Sequence, residues 1–162
     1  MSAAASRPAW PVFVGLASVI VVADQLTKAW LTGFLQPGQS VSVVGDLVRL
    51  VFSQNRGGLF GFLQGQALPF AALSVVVIGL IVAFHARSAP DLWLSVALGF
   101  LLGGAIGNLI DRVRFGYVVD FVDAGVGDLR WYTFNVADAA ISTSIVLLLL
   151  LALRPAPKRA ET

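Results

Sequence analysis

The chain has 162 residues, of which 57% are hydrophobic and only 12% charged, and its mean hydropathy is +0.84. A typical soluble domain carries about 25% charged residues, so a bilayer is the expected solvent, and the length allows one domain over 1–162 and no second. There is no cysteine and the net charge is only +2, which excludes a disulfide framework, a thiol nucleophile, a cysteine-based metal site and the basic stripe that a nucleic-acid partner requires.

The first apolar run, 12–31, contains Asp24-Gln25-Leu26-Thr27-Lys28 where a cleavable signal peptide would have a small-residue cleavage site, so it is read as a retained helix. Between 39 and 54, Val41 and Val43 and then Leu47, Arg49 and Val51 alternate around Gly45-Asp46, which predicts a hairpin with strands near 41–52. Three further apolar runs follow at 68–84, 92–110 and 136–153, each long enough to cross a bilayer. A strand-like piece at 129–134 separates the last two. The predicted fold is an all-α membrane protein of four transmembrane helices with a small extracytoplasmic β-sheet on the outer surface, and Trp131 and Tyr132 suit the interfacial belt.

Four spans place both termini on one side of the membrane and gather Asp24, Lys28, Asn55, Asn108, Asp111, Arg112, Asp120, Asn135 and Asp138 at the other. A raw count of Lys and Arg does not decide orientation. Lys28 and Arg112 have acidic neighbours, however, whereas Arg7, Arg87, Arg154, Lys158 and Arg159 lie in short tails and a tight loop with few acids, so the termini are assigned to the cytoplasm and 154–162 to a cytoplasmic tail.

Ionisable groups in or at the edge of a span are costly, and each invites a functional reading beside a structural one. Asp24 and Lys28, four apart, share a helix face and read as an ordering ion pair. Asn108, Asp111 and Arg112 read as support, with the Arg112 fork suited to a loop or a substrate carbonyl. Gly99, Gly103 and Gly107 form a stripe for close helix contact.

Asp120 and Asp138 differ, because each lies among apolar neighbours with no local cation. If Asn135 caps the fourth span, Asp138 sits one turn inside it, and Asp120 can approach from the segment between spans three and four. Two facing carboxylates sharing a proton can activate water, and for this pair catalysis is favoured over a structural role.

Other chemistries lack material. His85 is expected as a solvated residue by the cytoplasmic loop, leaving no Ser-His triad or His-based metal site, and Ser53 with Lys28 is a minor alternative as a Ser/Lys pair. Gly125-Val126-Gly127-Asp128 imitates an intramembrane protease signature but falls in a polar loop, where it reads as a turn. The rival from another class is a non-enzymatic membrane protein relaying protons or binding a ligand, though no transporter-like internal repeat is visible.

Taken in order, Asp24-Gln25-Leu26-Thr27-Lys28, Asn55-Arg56-Gly57, Gly103 through Arg112, Gly116-Tyr117-Val118-Val119-Asp120-Phe121 and Phe134-Asn135-Val136-Ala137-Asp138 resemble lipoprotein signal peptidase (signal peptidase II) over nearly the whole chain. The resemblance implies a membrane aspartic endopeptidase with Asp120 and Asp138 catalytic. It implies supporting roles for Asp24, Lys28, Asn55, Gly57, Asn108, Asp111, Arg112 and Asn135, with no metal and no cofactor. The implied substrate is a prolipoprotein cut on the N-terminal side of a diacylglyceryl-modified cysteine. The implied setting is the bacterial inner membrane, as a monomer, with membrane phospholipid and globomycin-type inhibitors as further partners. A member that binds lipidated peptides without cleaving them is disfavoured because both motif aspartates are present. One departure is Gly58-Leu59-Phe60-Gly61, where Leu59 replaces the expected alanine and is expected to shift substrate or antibiotic preference.

Overall fold

The computed structural model describes residues 9–57 and 67–153. The expected tail at 154–162 and the Leu59 departure lie outside these residues. The elements in chain order are α1 (Trp10–Thr32), β1 (Ser40–Val44), β2 (Val48–Asn55), α2 (Ala67–Arg87), α3 (Leu92–Phe115), β3 (Val118–Val126), β4 (Leu129–Arg130) and α4 (Val136–Ala152).

Local chemistry sets the helix ends. Asp91 accepts from Leu94 N at 3.1 Å to start α3. The apolar run of α3 ends near 110, yet the helix continues to Phe115, because it stops only at Gly116, whose φ of 74° supplies the left-handed cap. Asn135 caps α4 through a reciprocal capping box with Asp138, as the sequence implied.

Helices α1, α2 and α3 are long and apolar enough to cross a membrane, while α4, with 17 residues, is a shorter apolar helix. Large apolar side chains are exposed on every one of them, including Leu26, Trp30, Leu80, Val113 and Leu150. Apolar surface of that extent is stable against lipid rather than water.

Helix α3 is central and packs against α1, α2 and α4. Its glycine stripe makes the approach to α1 possible: a Cβ on Gly103 would stand 2.7 Å from Ile20 Cβ, and one on Gly107 would stand 2.7 Å from Asp24 Oδ2. Phe13, Ala17, Ile81, Leu98 and Leu102 fill the core between α1, α2 and α3. A second cluster, Leu31, Leu35, Phe52, Val119 and Phe121, seats the sheet on the end of α1.

The sheet is antiparallel in the order β1-β2-β3-β4. The hairpin β1-β2 is where the alternation placed it. Strand β3 was expected only as a connecting segment; it is instead the strand joining β2 to β4, pairing Ser53 with Asp120 and Asn55 with Val118. Its first four residues are buried, so the in-out alternation that announces a strand is absent. The expected strand at 129–134 shrinks to Leu129–Arg130 plus a lone bridge from Val122 to Phe134.

His85 is corrected as well. It is 1% exposed, stacked on Phe13 at 4.1 Å between centroids and hydrogen-bonded through Nε2 to Ser95 Oγ at 3.0 Å. The extension of α2 to Arg87 keeps this side chain on the packed helix face instead of in a loop.

Candidate active site

The C-terminal end of α1 brings Lys28 between two acids. Its Nζ lies 2.8 Å from Asp24 Oδ2 and 2.8 Å from Asp111 Oδ2, and all three side chains are buried. Buried charges are tolerable only when paired and hydrogen-bonded, and these are. Asp24 Oδ1 accepts from Ala137 N at 3.0 Å, Asp111 Oδ2 from Val119 N at 3.0 Å and Asp111 Oδ1 from Gln25 Nε2 at 2.9 Å. The cluster thereby ties α1, α3, β3 and the start of α4 together. The i,i+4 pair was legible; Asp111 as a second partner and Gln25 as a brace were not, since both contacts cross from α1 to α3.

Three asparagines hold Asp120 and Asp138. Asp120, carried on β3, accepts from Asn55 Nδ2 of β2 at 3.0 Å and from Asn135 Nδ2 at 2.7 Å. Asp138, in the first turn of α4, accepts from Asn108 Nδ2 of α3 at 2.7 Å and from Asn135 N at 3.3 Å. Asn135 Oδ1 accepts in turn from Asp138 N at 2.8 Å. The fold thus brings together the two carboxylates that sequence reasoning had placed on a helix and on a connecting segment.

Burial is the main cause that raises the Asp120 carboxyl to about 7, followed by the neighbouring Asp138 charge, with Asn55, Asn135 and Lys28 opposing.

Arg112 reaches Gly57 O at 3.5 Å and Asn108 O at 3.4 Å, and its guanidinium lies 5.7 Å from the centre of the Phe70 ring. Asn55 Oδ1 accepts from Gly57 N at 3.1 Å, which bends the chain after β2 toward that arginine. Arg112 therefore contacts the chain just after β2 at Gly57.

Asp138, Asn55, Asn108 and Arg112 line the polar part of a groove of about 570 Å³. Its apolar part is made by Phe70, Leu73 and Val77 of α2, Ala105 of α3 and Ile141 of α4. Polar groups converging in a mainly apolar cleft are the usual form of a ligand site.

The alternatives fall elsewhere. Lys28 is committed to Asp24 and Asp111, which removes it as a base for Ser53. Gly127 has a φ of 55°, forms the β3-β4 turn with Asp128 and donates its N–H to Asp46 Oδ2 at 2.6 Å, so that glycine-rich segment is a turn as expected.

The family model described as signal peptidase (SPase) II matches residues 16–154. A lipoprotein signal peptidase of Caulobacter vibrioides is 42% identical over 152 residues, covering 90% of this chain and 88% of that protein. One from Moorella thermoacetica is 39% identical over 145 residues, covering 89% and 94%. A solved bacterial membrane enzyme, determined by the in meso method, shares 27% identity at a TM-score of 0.88 over 99% of this chain and 98% of that one. Apolar helices around a cleft with converging polar groups, together with these likenesses, define a membrane-embedded peptidase of the bacterial inner membrane. The chain belongs to the signal peptidase II family, whose members process lipoproteins.

Proposed function

We propose that this protein is an aspartic endopeptidase that removes the signal peptide from diacylglyceryl-modified prolipoproteins, cutting on the N-terminal side of the lipidated cysteine. The observation that carries the reading is the pair Asp120 and Asp138, held by Asn55, Asn108 and Asn135 with Asp138 on the polar wall of a groove between α2, α3 and α4.

In the mechanism, the ionised member of the pair takes a proton from a bound water, whose oxygen attacks the scissile carbonyl carbon. The protonated member donates a hydrogen bond to the carbonyl oxygen and then gives its proton to the departing nitrogen as the C–N bond breaks. A carboxyl near 7 supports one shared proton at working pH. The remaining motif residues act through these two: Asp24, Lys28 and Asp111 fix the helix ends, Asn108 and Asn135 orient the carboxylates, and Asn55, Gly57 and Arg112 shape the wall on which the substrate backbone rests.

The topology belongs to the same reading: four spans, cytoplasmic termini, and the sheet on the outer surface beside the dyad. The 17 residues of α4 cover about 26 Å at 1.5 Å per residue. With Leu153 as its C-cap, that length is compatible with a bilayer core of ~30 Å thinned by a small mismatch. The signal helix enters the apolar groove from the lipid, and the same groove takes globomycin-type inhibitors. The protein acts as a monomer in contact with membrane phospholipid.

The test is a gel-shift assay in lipid, comparing a diacylglyceryl-modified prolipoprotein with its unlipidated form. Cleavage confined to the lipidated form supports the reading. Equal cleavage of both refutes the lipid requirement, and no cleavage by well-folded protein favours a binding or proton-relay role.

A further inference from the structure

A second cavity, of about 290 Å³, opens where the C-terminal ends of α1 and α3 meet β2 and β3. Gln25, Thr32, Phe52, Asp111, Arg114 and Tyr117 help to line it, and it shares no lining residue with the substrate groove. Along the same two helices lies an apolar cavity of about 380 Å³, walled by Val14, Ser18, Val21 and Val22 of α1 and by Leu102 and Ile106 of α3. The α1 residues of the two cavities form one stripe, because Val14, Ser18, Val21, Gln25, Ala29 and Thr32 recur at three- and four-residue spacing. From Val14 to Gln25 the stripe rises through eleven residue steps, about 16 Å of helix and close to one leaflet of a ~30 Å hydrocarbon core.

The polar end has a cation to offer. Asp111 is saturated by Lys28 at 2.8 Å, Val119 N at 3.0 Å and Gln25 at 2.9 Å, and Lys28 is saturated by its two acids and Asn108 Oδ1. Arg114 is exposed and has no carboxylate partner among the described residues; its guanidinium lies 4.9 Å from the centre of the Phe115 ring. Phe115 stacks on Tyr117 at 5.8 Å, and Arg56 stands 5.9 Å from the centre of the Tyr117 ring. Two arginines therefore flank an aromatic pair at the end of an apolar channel, the arrangement that suits an anionic phosphodiester at a membrane surface with its hydrocarbon below.

We propose that the two cavities form one phospholipid site, with an anionic headgroup phosphate on Arg114 and an acyl chain along the α1–α3 stripe. The site rests on the membrane placement of α1 and α3, and not on the peptidase chemistry of Asp120 and Asp138. A bound headgroup lies beside Gln25, which holds Asp111, and Asp111 in turn holds the Val119 N–H next to Asp120, so occupancy braces the strand that carries that aspartate.

Native mass spectrometry of the full-length protein, titrated with phosphatidylglycerol, phosphatidylcholine and glycerol phosphate, tests it. Phosphatidylglycerol is expected to bind the wild type more tightly than phosphatidylcholine and to resist competition by glycerol phosphate. Arg114→Gln is expected to weaken that binding about tenfold, the loss of one charge-assisted contact, and Ser18→Phe, which fills the channel, to weaken it as well. Arg49→Gln, on the sheet, is expected to bind like the wild type. Unchanged binding in both Arg114→Gln and Ser18→Phe, in proteins whose melting temperature is preserved, overturns the site. Displacement of the lipid by an equal concentration of glycerol phosphate overturns it in favour of a soluble-anion site.

Discussion

The ammonium of Lys28 donates to Asn108 Oδ1 at 3.3 Å, while the amide nitrogen of the same Asn108 donates to Asp138 at 2.7 Å. A cation on α1 thus fixes which end of an α3 amide faces an α4 carboxylate. Replacing Lys28 by Met removes that orientation and leaves Asp24 and Asp111 without their counter-charge. Breaking a buried ion cluster costs about 3–5 kcal/mol. A lower thermal midpoint in lipid, with kcat reduced further than KM is raised, is the expected outcome. A Lys28→Met protein with wild-type melting and turnover would show that the cluster neither stabilises nor orients.

The pH dependence follows from Asp120. A carboxyl raised from 3.8 to about 7 binds its proton more tightly in the folded protein than in the unfolded chain. Its contribution to stability is therefore complete below about pH 4, declines as pH rises toward 7 and is gone above it. On the proposed two-aspartate mechanism activity requires one proton in the pair, so kcat/KM should follow a bell whose alkaline limb lies near pH 7. Initial rates across pH 4 to 9 in a fixed lipid check this, and a rate still rising at pH 9 would contradict it.

Packing along α3 yields a third expectation. A Gly103→Val side chain begins 2.7 Å from Ile20 Cβ and 2.9 Å from Ala17 O. Helices α1 and α3 must then separate, and overpacking of this kind costs about 1–3 kcal/mol. Reduced thermal stability is expected, along with reduced activity, because Asp24 and Lys28 ride on the displaced helix. The same substitution at Gly79, where an added Cβ meets nothing within 4 Å, should leave stability nearly unchanged.

The sequence showed the four helices because each carries a long apolar run, and it showed the β1-β2 hairpin because Val41, Val43 and Leu47 alternate around a turn. It also pointed to Asp120 and Asp138, since a carboxylate among apolar neighbours stands out without any coordinates. Strand β3 did not show: with Val118, Val119, Asp120 and Phe121 all buried, the period of two vanishes. The contacts of Lys28 with Asp111 and of Gln25 with Asp111 join helices more than eighty residues apart in sequence. Local spacing carries no trace of such a contact. His85 was misplaced for a related reason, because its burial is decided by Phe13, Trp10 and Ser95 on other helices.

The most direct measurement of the central claim is the cleavage rate of a diacylglyceryl-modified prolipoprotein by wild type, Asp120→Asn and Asp138→Asn, each reconstituted in the same lipid and checked for folding. Asparagine keeps the shape and one accepting oxygen, gives up the other acceptor, and cannot exchange the proton. Each single variant is expected to lose at least about 10²–10⁴-fold in kcat, with substrate binding retained, and the double variant to lose little more than either alone. Appreciable turnover by either folded variant would contradict a two-aspartate mechanism.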